Sequence, residues 1–188
     1  MQKSKLRAVV VAVAAAVLLA AGAGTSSAVP APGSGGPAPQ RAIGKAAAVL
    51  GPFKIQSRLT GKCLTNPAMS HTQGQGMIQW DCSSGAAPDQ QWFLYQSNIT
   101  GVYQIVNAVS DQCLAVPGGS TQNGLQLIQW PCGNFQDHFW AKSPGSQLTN
   151  WGTEQQVGLG AGSGNGVAIV QNYPCGCADQ YWDIVNLL

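Results

Sequence analysis

The feature that most constrains this chain is a repeat. "GPFKIQSRLTGKCL" (51–64) lies over "GVYQIVNAVSDQCL" (101–114) at an offset of 50, aligning Gly51 with Gly101, Phe53 with Tyr103, Ile55 with Ile105 and both Cys-Leu pairs. "IQWDC" lies over "IQWPC" at the same offset, and "DQQW" (89–92) meets "DHFW" (137–140) at 48, after a loop shortened by two. A more divergent third copy runs through "GSQLTNWGTEQQVGL" (145–159), "IVQNYPC" (169–175) and "DQYW" (179–182). Matching on the cysteines puts Gly158 where the first two copies have cysteine, and Tyr173 where they have Trp80 and Trp130. Each copy is a set of short β-branched and aromatic runs separated by Gly, Pro, Asn and Ser, with no sustained 3.6-residue pattern, so the chain reads as all-β. Units of roughly 45 residues cannot bury their own apolar faces and need closure around a shared axis, which also hides strand edges. A three-fold barrel is expected.

The repeats start near residue 51, and what precedes them reads differently. Lys3, Lys5 and Arg7, then the apolar run Ala8 to Ala20 and the small residues ending at Ala28, form a signal peptide over residues 1–28. The run is short of the roughly 20 residues a membrane span needs. Residues 29–50, rich in Pro, Gly and Ala, read as a disordered tether. Residues 51–188 form one domain with lobes of about 51–100, 101–144 and 145–188.

Removing the leader takes three of the nine basic residues and leaves six against seven acids. A nearly neutral chain without basic runs has no footprint for nucleic acid or for an anionic membrane. A neutral partner, secretion and a monomer are expected. All six cysteines lie in the exported part, where disulfides are the default.

Three copies of Cys-Leu, an aromatic two residues before a cysteine, and Asp-Gln-x-Trp resemble the ricin B-chain (Q-x-W) lectin and carbohydrate-binding module family. The element appears as "QQW" and "QYW", with His138 replacing Gln in the middle copy. The resemblance implies a β-trefoil, with a six-stranded barrel capped by three hairpins and up to three shallow sugar pockets.

Trp92, Trp140 and Trp182 recur in apolar strand contexts and are expected in the core. Cys63 and Cys82, and Cys113 and Cys132, are each 19 apart and are paired by the repeat. Cys175 and Cys177 in "PCGC" are left to a tight disulfide or to intermolecular pairing. A metal site needs three or four ligands, and His71 and His138 fall in different lobes, so no metal is expected and no cofactor is indicated.

In the resembled family the aromatic before the cysteine stacks on a sugar ring, a role that falls to Trp80, Trp130 and Tyr173. A flat ring suits the apolar C–H face of a pyranose, while rigid polar groups take its hydroxyls. The family's sugar-clamping Asp is missing. Its positions hold Thr65, Ala115 and Gly160, which removes a charge-assisted hydrogen bond of about 1.5–3 kcal/mol. The polar candidates that remain are Thr65 and Asn66, together with Asp89, Asp137 and Asp179, whose alternative role is turn capping. No triad, metal motif or facing carboxylate pair supports catalysis, so the chain reads as a non-enzymatic binder of polysaccharide or glycan. The alternative is a trefoil scaffold for a protein partner, as an inhibitor or toxin-associated component.

Overall fold

The computed structural model describes residues 37–41, 48–85 and 87–187. The stretch read as a signal peptide and most of the stretch read as a tether lie outside the described residues. Lobe 1 contains β1 (Val49–Ser57), β2 (Cys63–Thr65), β3 (Ile78–Trp80) and β4 (Trp92–Gln96). Lobe 2 contains β5 (Val102–Asn107), β6 (Gln112–Ala115), the fragment β7 (Leu125–Gln126), β8 (Ile128–Pro131) and β9 (Trp140–Lys142). Lobe 3 contains β10 (Leu148–Asn150), β11 (Gln156–Leu159), β12 (Ile169–Asn172) and β13 (Trp182–Asn186). The described residues form strands and short 3-10 turns, without an α-helix.

The first and last strands of each lobe form a wall in the order β13-β1-β4-β5-β9-β10, antiparallel throughout. The middle strands fold over it as hairpins β2·β3, β6·β8 and β11·β12. This is a β-trefoil. The expected closed six-stranded barrel needs one correction, because no strand ladder joins β10 to β13. Where Phe53 pairs with Trp92 and Tyr103 with Trp140, lobe 3 has one backbone hydrogen bond, the Trp182 N–H donating to the Ser146 carbonyl at 2.7 Å, beside the Ser146 hydroxyl donating to Asp183 Oδ1. Ser146 has φ 69°, outside the extended region a strand requires. That turn shortens β10 at its start and leaves a seam.

The pseudo-three-fold axis is marked by a ring of hydrogen bonds. The Met77 N–H donates to Leu127 O at 2.8 Å, the Leu127 N–H to Ile169 O at 2.8 Å, and the Ile169 N–H to Met77 O at 3.0 Å. All three side chains are fully buried. Trp92, Trp140 and Trp182 are buried as the repeat predicts, and their indole N–H groups donate to the Leu64, Leu114 and Val157 carbonyls at 2.9–3.0 Å. Each therefore packs the wall and fixes a hairpin to it while leaving no buried donor unpaired.

The Gln of "IQW" is the third symmetric element. Gln79, Gln129 and Gln171 are fully buried, and each accepts from a hydroxyl of its own lobe, Thr60, Ser110 or Thr153. Their amide N–H groups donate to loop carbonyls of a neighbouring lobe: Gly164; Ser70 and Thr72; Ser120 and Gln122.

These anchors correct the register of the third copy. Cys63 pairs with Trp80 and Cys113 with Trp130 across their hairpins, and the corresponding pair in lobe 3 is Gln156 with Asn172. Gly158 therefore matches Thr65 and Ala115, not the cysteine, and Gly160 falls beyond that position. Asn172 matches Trp80 and Trp130, with Tyr173 one residue further on. The cysteine misleads because Cys175 has another job: its N–H donates to Gln180 Oε1, as Ser83 N–H does to Gln90 Oε1 and Gly133 N–H to His138 Nδ1. Disulfides join Cys63 to Cys82, Cys113 to Cys132 and Cys175 to Cys177. The last lies outside the repeat.

Part of the stretch read as tether is docked. Residues 37–41 include a buried Pro39; the Gln40 N–H donates to Asn98 Oδ1 and the Gln40 carbonyl accepts the Asn98 N–H. Arg41 stacks over Tyr95 at 4.1 Å and donates to Gln104. β1 also begins at Val49, inside the expected tether.

Candidate functional site

β3 ends at Trp80, held opposite Cys63 by the hairpin and beside the Cys63–Cys82 disulfide. Trp80 is 47% exposed. A pocket of about 180 Å³ beside it is also lined by Thr65, Pro67, Ala68, Ile78 and Asp89. Asp89 comes from the 3-10 turn Pro88–Gln90, where the fixed φ of Pro88 sets the first residue. The structure thus brings Thr65, Trp80 and Asp89 together, as expected.

Two of the polar candidates contribute less than their residue types suggest. The Thr65 hydroxyl donates to the Cys63 carbonyl and accepts from Gln90 Nε2, so this buried side chain already has partners within the fold. Asn66 is corrected outright. It is fully buried, with Nδ2 donating to Ser70 O and Asn107 Oδ1, which makes it a lobe-to-lobe tie without access to ligand.

Lobe 2 builds the corresponding site more generously. Trp130 stands in the corresponding hairpin strand β8, one residue before its end, 42% exposed and opposite Cys113. The pocket beside it measures about 520 Å³. Ala115, Val116 and Ile128 supply an apolar floor, and Phe135, Asp137 and His138 stand at its edge. The turn beneath it has the same backbone in both lobes: Gly118 and Gly119 adopt left-handed φ of 58° and 62°, where lobe 1 holds Ala68 and Met69 at 55° and 52°. Glycine tolerates that region and side chains pay strain there.

His138 is buried, its Nδ1 accepting the Gly133 N–H at 3.2 Å and its Nε2 3.6 Å from Asp137 Oδ2. Burial holds its pKa below the usual imidazole value, the Asp137 carboxylate opposing that shift. The neutral ring fits its role as an acceptor.

In lobe 3 the site has turned inward. Asp179 Oδ2 accepts from the Leu159 N–H at 3.4 Å and from Asn172 Nδ2 at 3.3 Å. Gly158 leaves room for this arrangement: a Cβ there would lie 2.7 Å from Asn172 Nδ2 and 2.9 Å from Asp179 Oδ2. Tyr173 is 61% exposed, its backbone N–H donating to Asn123 Oδ1. The expected Tyr173 and Asp179 site is replaced by an internal Asn172–Asp179 pair.

Elsewhere, Asp81 pairs with Lys62 and accepts from Asn165, and the Lys62 hydrogen bond is the main cause holding its carboxyl below the usual range. Among the described residues, no group of three or more His, Cys, Asp or Glu could hold a metal. The exposed pocket-lining residue that sequence reasoning passed over is Phe135. Its signal was the shortened loop before "DHFW", which moves an aromatic to the mouth of the pocket.

The sequence matches the ricin-type beta-trefoil lectin domain-like family over residues 44–130 and, in an overlapping match, 88–172. Among solved structures, the designed three-fold symmetric protein ThreeFoil is 26% identical with a TM-score of 0.67, covering 72% of this chain and 98% of its own. The exo-beta-1,3-galactanase 1,3Gal43A from Clostridium thermocellum is 22% identical with a TM-score of 0.66, over 73% of this chain and 30% of the enzyme. The C-half of the earthworm R-type lectin, solved in complex with GalNAc, is 23% identical with a TM-score of 0.58, over 71% and 96%. At these identities the last two show shared fold. No curated protein matches the sequence.

Proposed function

The chain belongs to the ricin-type beta-trefoil lectin domain-like family, a family of carbohydrate-binding domains, and on that premise we propose that it is a secreted, non-catalytic binder of polysaccharide or glycan chains. One observation carries the reading: Trp80 and Trp130 stand half-exposed at equivalent hairpin positions, each in a pocket that also holds an acid, Asp89 or Asp137. Most soluble proteins bury indoles. Two held in the open beside a hydrogen-bond acceptor match the needs of a pyranose, whose apolar face and polar rim lie at right angles.

Lobes 1 and 2 are the working sites in this reading, with Trp80 and Asp89 in one, Trp130 and Asp137 in the other. With no carboxylate at Thr65 or Ala115, each lobe binds weakly, and a multivalent chain engaging both gains by effective concentration. Export is supported by the basic, apolar and small-residue order of residues 1–28 and by three disulfides. The non-catalytic part is supported by the acids themselves, Asp81 being held by Lys62 and Asn165.

The test is isothermal titration of the protein against soluble galactans, glucans, chitin fragments and mannans, beside a Trp80→Ala/Trp130→Ala variant. Saturable binding that the folded variant loses is the expected result. The absence of binding across the panel turns the reading toward a protein partner, for which the lost aspartates at Thr65, Ala115 and Gly158 are the favouring observation.

A further inference from the structure

Lobe 2 has a second exposed ring at its pocket, and the fold does not need it there. Phe135 is 61% exposed and immediately precedes the 3-10 turn Gln136–His138. The corresponding positions are Ala87 and Cys177. Between cysteine and acid lobe 2 has four residues, 133–136, where lobe 1 has six, 83–88, and the shorter loop brings the phenyl group to the pocket wall. The ring is held in place. It meets His138 edge to face, centroids 5.3 Å apart at 68°, and lies so close over Gly133 that a Cβ there would be 2.6 Å from it. His138 is in turn anchored by the Gly133 N–H.

An exposed phenyl group fixed against rotation keeps apolar surface in water, an arrangement that favours burial by a ligand. The pocket it shares with Trp130 measures about 520 Å³ against about 180 Å³ in lobe 1. The larger falls within the few-hundred-Å³ range of sites that enclose extended small ligands, and the smaller falls below it.

We propose that Phe135 is a second stacking platform, so that lobe 2 holds two consecutive pyranose units of a neutral glycan chain, one on Trp130 and the next on Phe135. Lobe 1, with Ala87 at that position, holds one unit. Phe135 is then the residue by which the protein distinguishes a chain from a free sugar, and Asp137 accepts hydroxyls at the same pocket. The inference rests on the carbohydrate reading above.

The experiment uses Trp80→Ala protein, so that lobe 2 reports alone, titrated with galactose and β-1,3-galactobiose and, as a second series, N-acetylglucosamine, chitobiose and chitotriose. In the series that binds, the disaccharide is expected to bind at least tenfold more tightly than its monosaccharide. Adding Phe135→Ala should reduce that ratio below threefold while leaving the monosaccharide Kd within twofold. Phe135→Tyr should preserve the ratio, and Trp130→Ala should abolish binding of both. Near-ultraviolet circular dichroism checks the fold of each variant. Binding with no dependence on chain length, or a dependence that survives Phe135→Ala, overturns the two-platform inference alone. Failure of the unmodified protein to bind either series or any polysaccharide in the panel overturns the carbohydrate reading beneath it.

Discussion

Lobes 2 and 3 share their interior and differ in almost everything that faces outward. Both keep a buried Trp bonded to a hairpin carbonyl, a buried Gln bonded across the lobe boundary, and one member of the axial ring. Lobe 2 adds a disulfide across the hairpin and an exposed Trp with a pocket beside it. Lobe 3 has Gln156 and Asn172 at the Cα-paired positions and closes its acid onto its own hairpin. Residues at the axis serve all three lobes at once, while those at a pocket serve one. A lobe can therefore lose its ligand without weakening the molecule.

The sharpest challenge to this contrast removes a core indole from lobe 3, whose hairpin carries no exposed Trp. Trp182→Ala should cost about 3–5 kcal/mol, the same as Trp92→Ala, by chemical denaturation. A much smaller cost for Trp182 would mean that lobe 3 is a peripheral flap.

Next come the disulfides. Opening Cys113–Cys132 by paired serine substitution should cost about 3 kcal/mol from loop entropy, and opening Cys175–Cys177 about 1.5 kcal/mol or less, because the closed loop is so short. Equal losses would show that the Cys175–Gly176–Cys177 loop carries packing energy beyond its entropy.

Acid separates lobes 1 and 2. Because the folded-state pKa of His138 is depressed, the unfolded chain takes up its proton first as pH falls. Stability is full above the unfolded value near 6.5 and declines as pH drops from there toward the folded value. A protonated Nδ1 also cannot accept the Gly133 N–H, so lobe 2 binding should fall at the acid end of that window, where the folded ring itself protonates. His138→Gln should flatten this slope in a thermal-melt series, since Gln90 and Gln180 make the same bond without titrating.

The smallest effect concerns the turns under the two pockets. Ala68→Gly should stabilise by about 0.5 kcal/mol by relieving left-handed strain, and Gly118→Ala should destabilise by about 1 kcal/mol. If Ala68→Gly destabilises instead, the greater freedom of glycine in the unfolded chain outweighs the strain.

The repeat made the trefoil, the core tryptophans and two disulfides legible because each depends on a residue type recurring at fixed spacing. The third copy was misread for a physical reason. Cysteine is conspicuous in sequence, yet the register is set by Gln171 and Trp182 through buried hydrogen bonds, and Cys175 bonds to Gln180 instead. Asn66 looked like a ligand group because the sequence does not show that Asn107 and Ser70 take its amide. Phe135 was passed over because its role comes from loop length, which acts only in three dimensions. The seam between β10 and β13 turns on the backbone of Ser146, a residue whose type gives no warning of φ 69°.

The hydrogen-bonded ring of Met77, Leu127 and Ile169 takes no account of the order in which the chain visits the lobes. Each member gives to one neighbour and receives from the other, so a two-lobe fragment leaves a buried donor and a buried acceptor orphaned, while any cyclic reordering of intact lobes leaves none. New termini cut at the lobe 1–lobe 2 boundary near Gly101 should therefore be tolerated, and truncation at the same place should abolish folding. Such an assembly is added or lost by whole turns of the axis, which leaves single pockets as the part free to change.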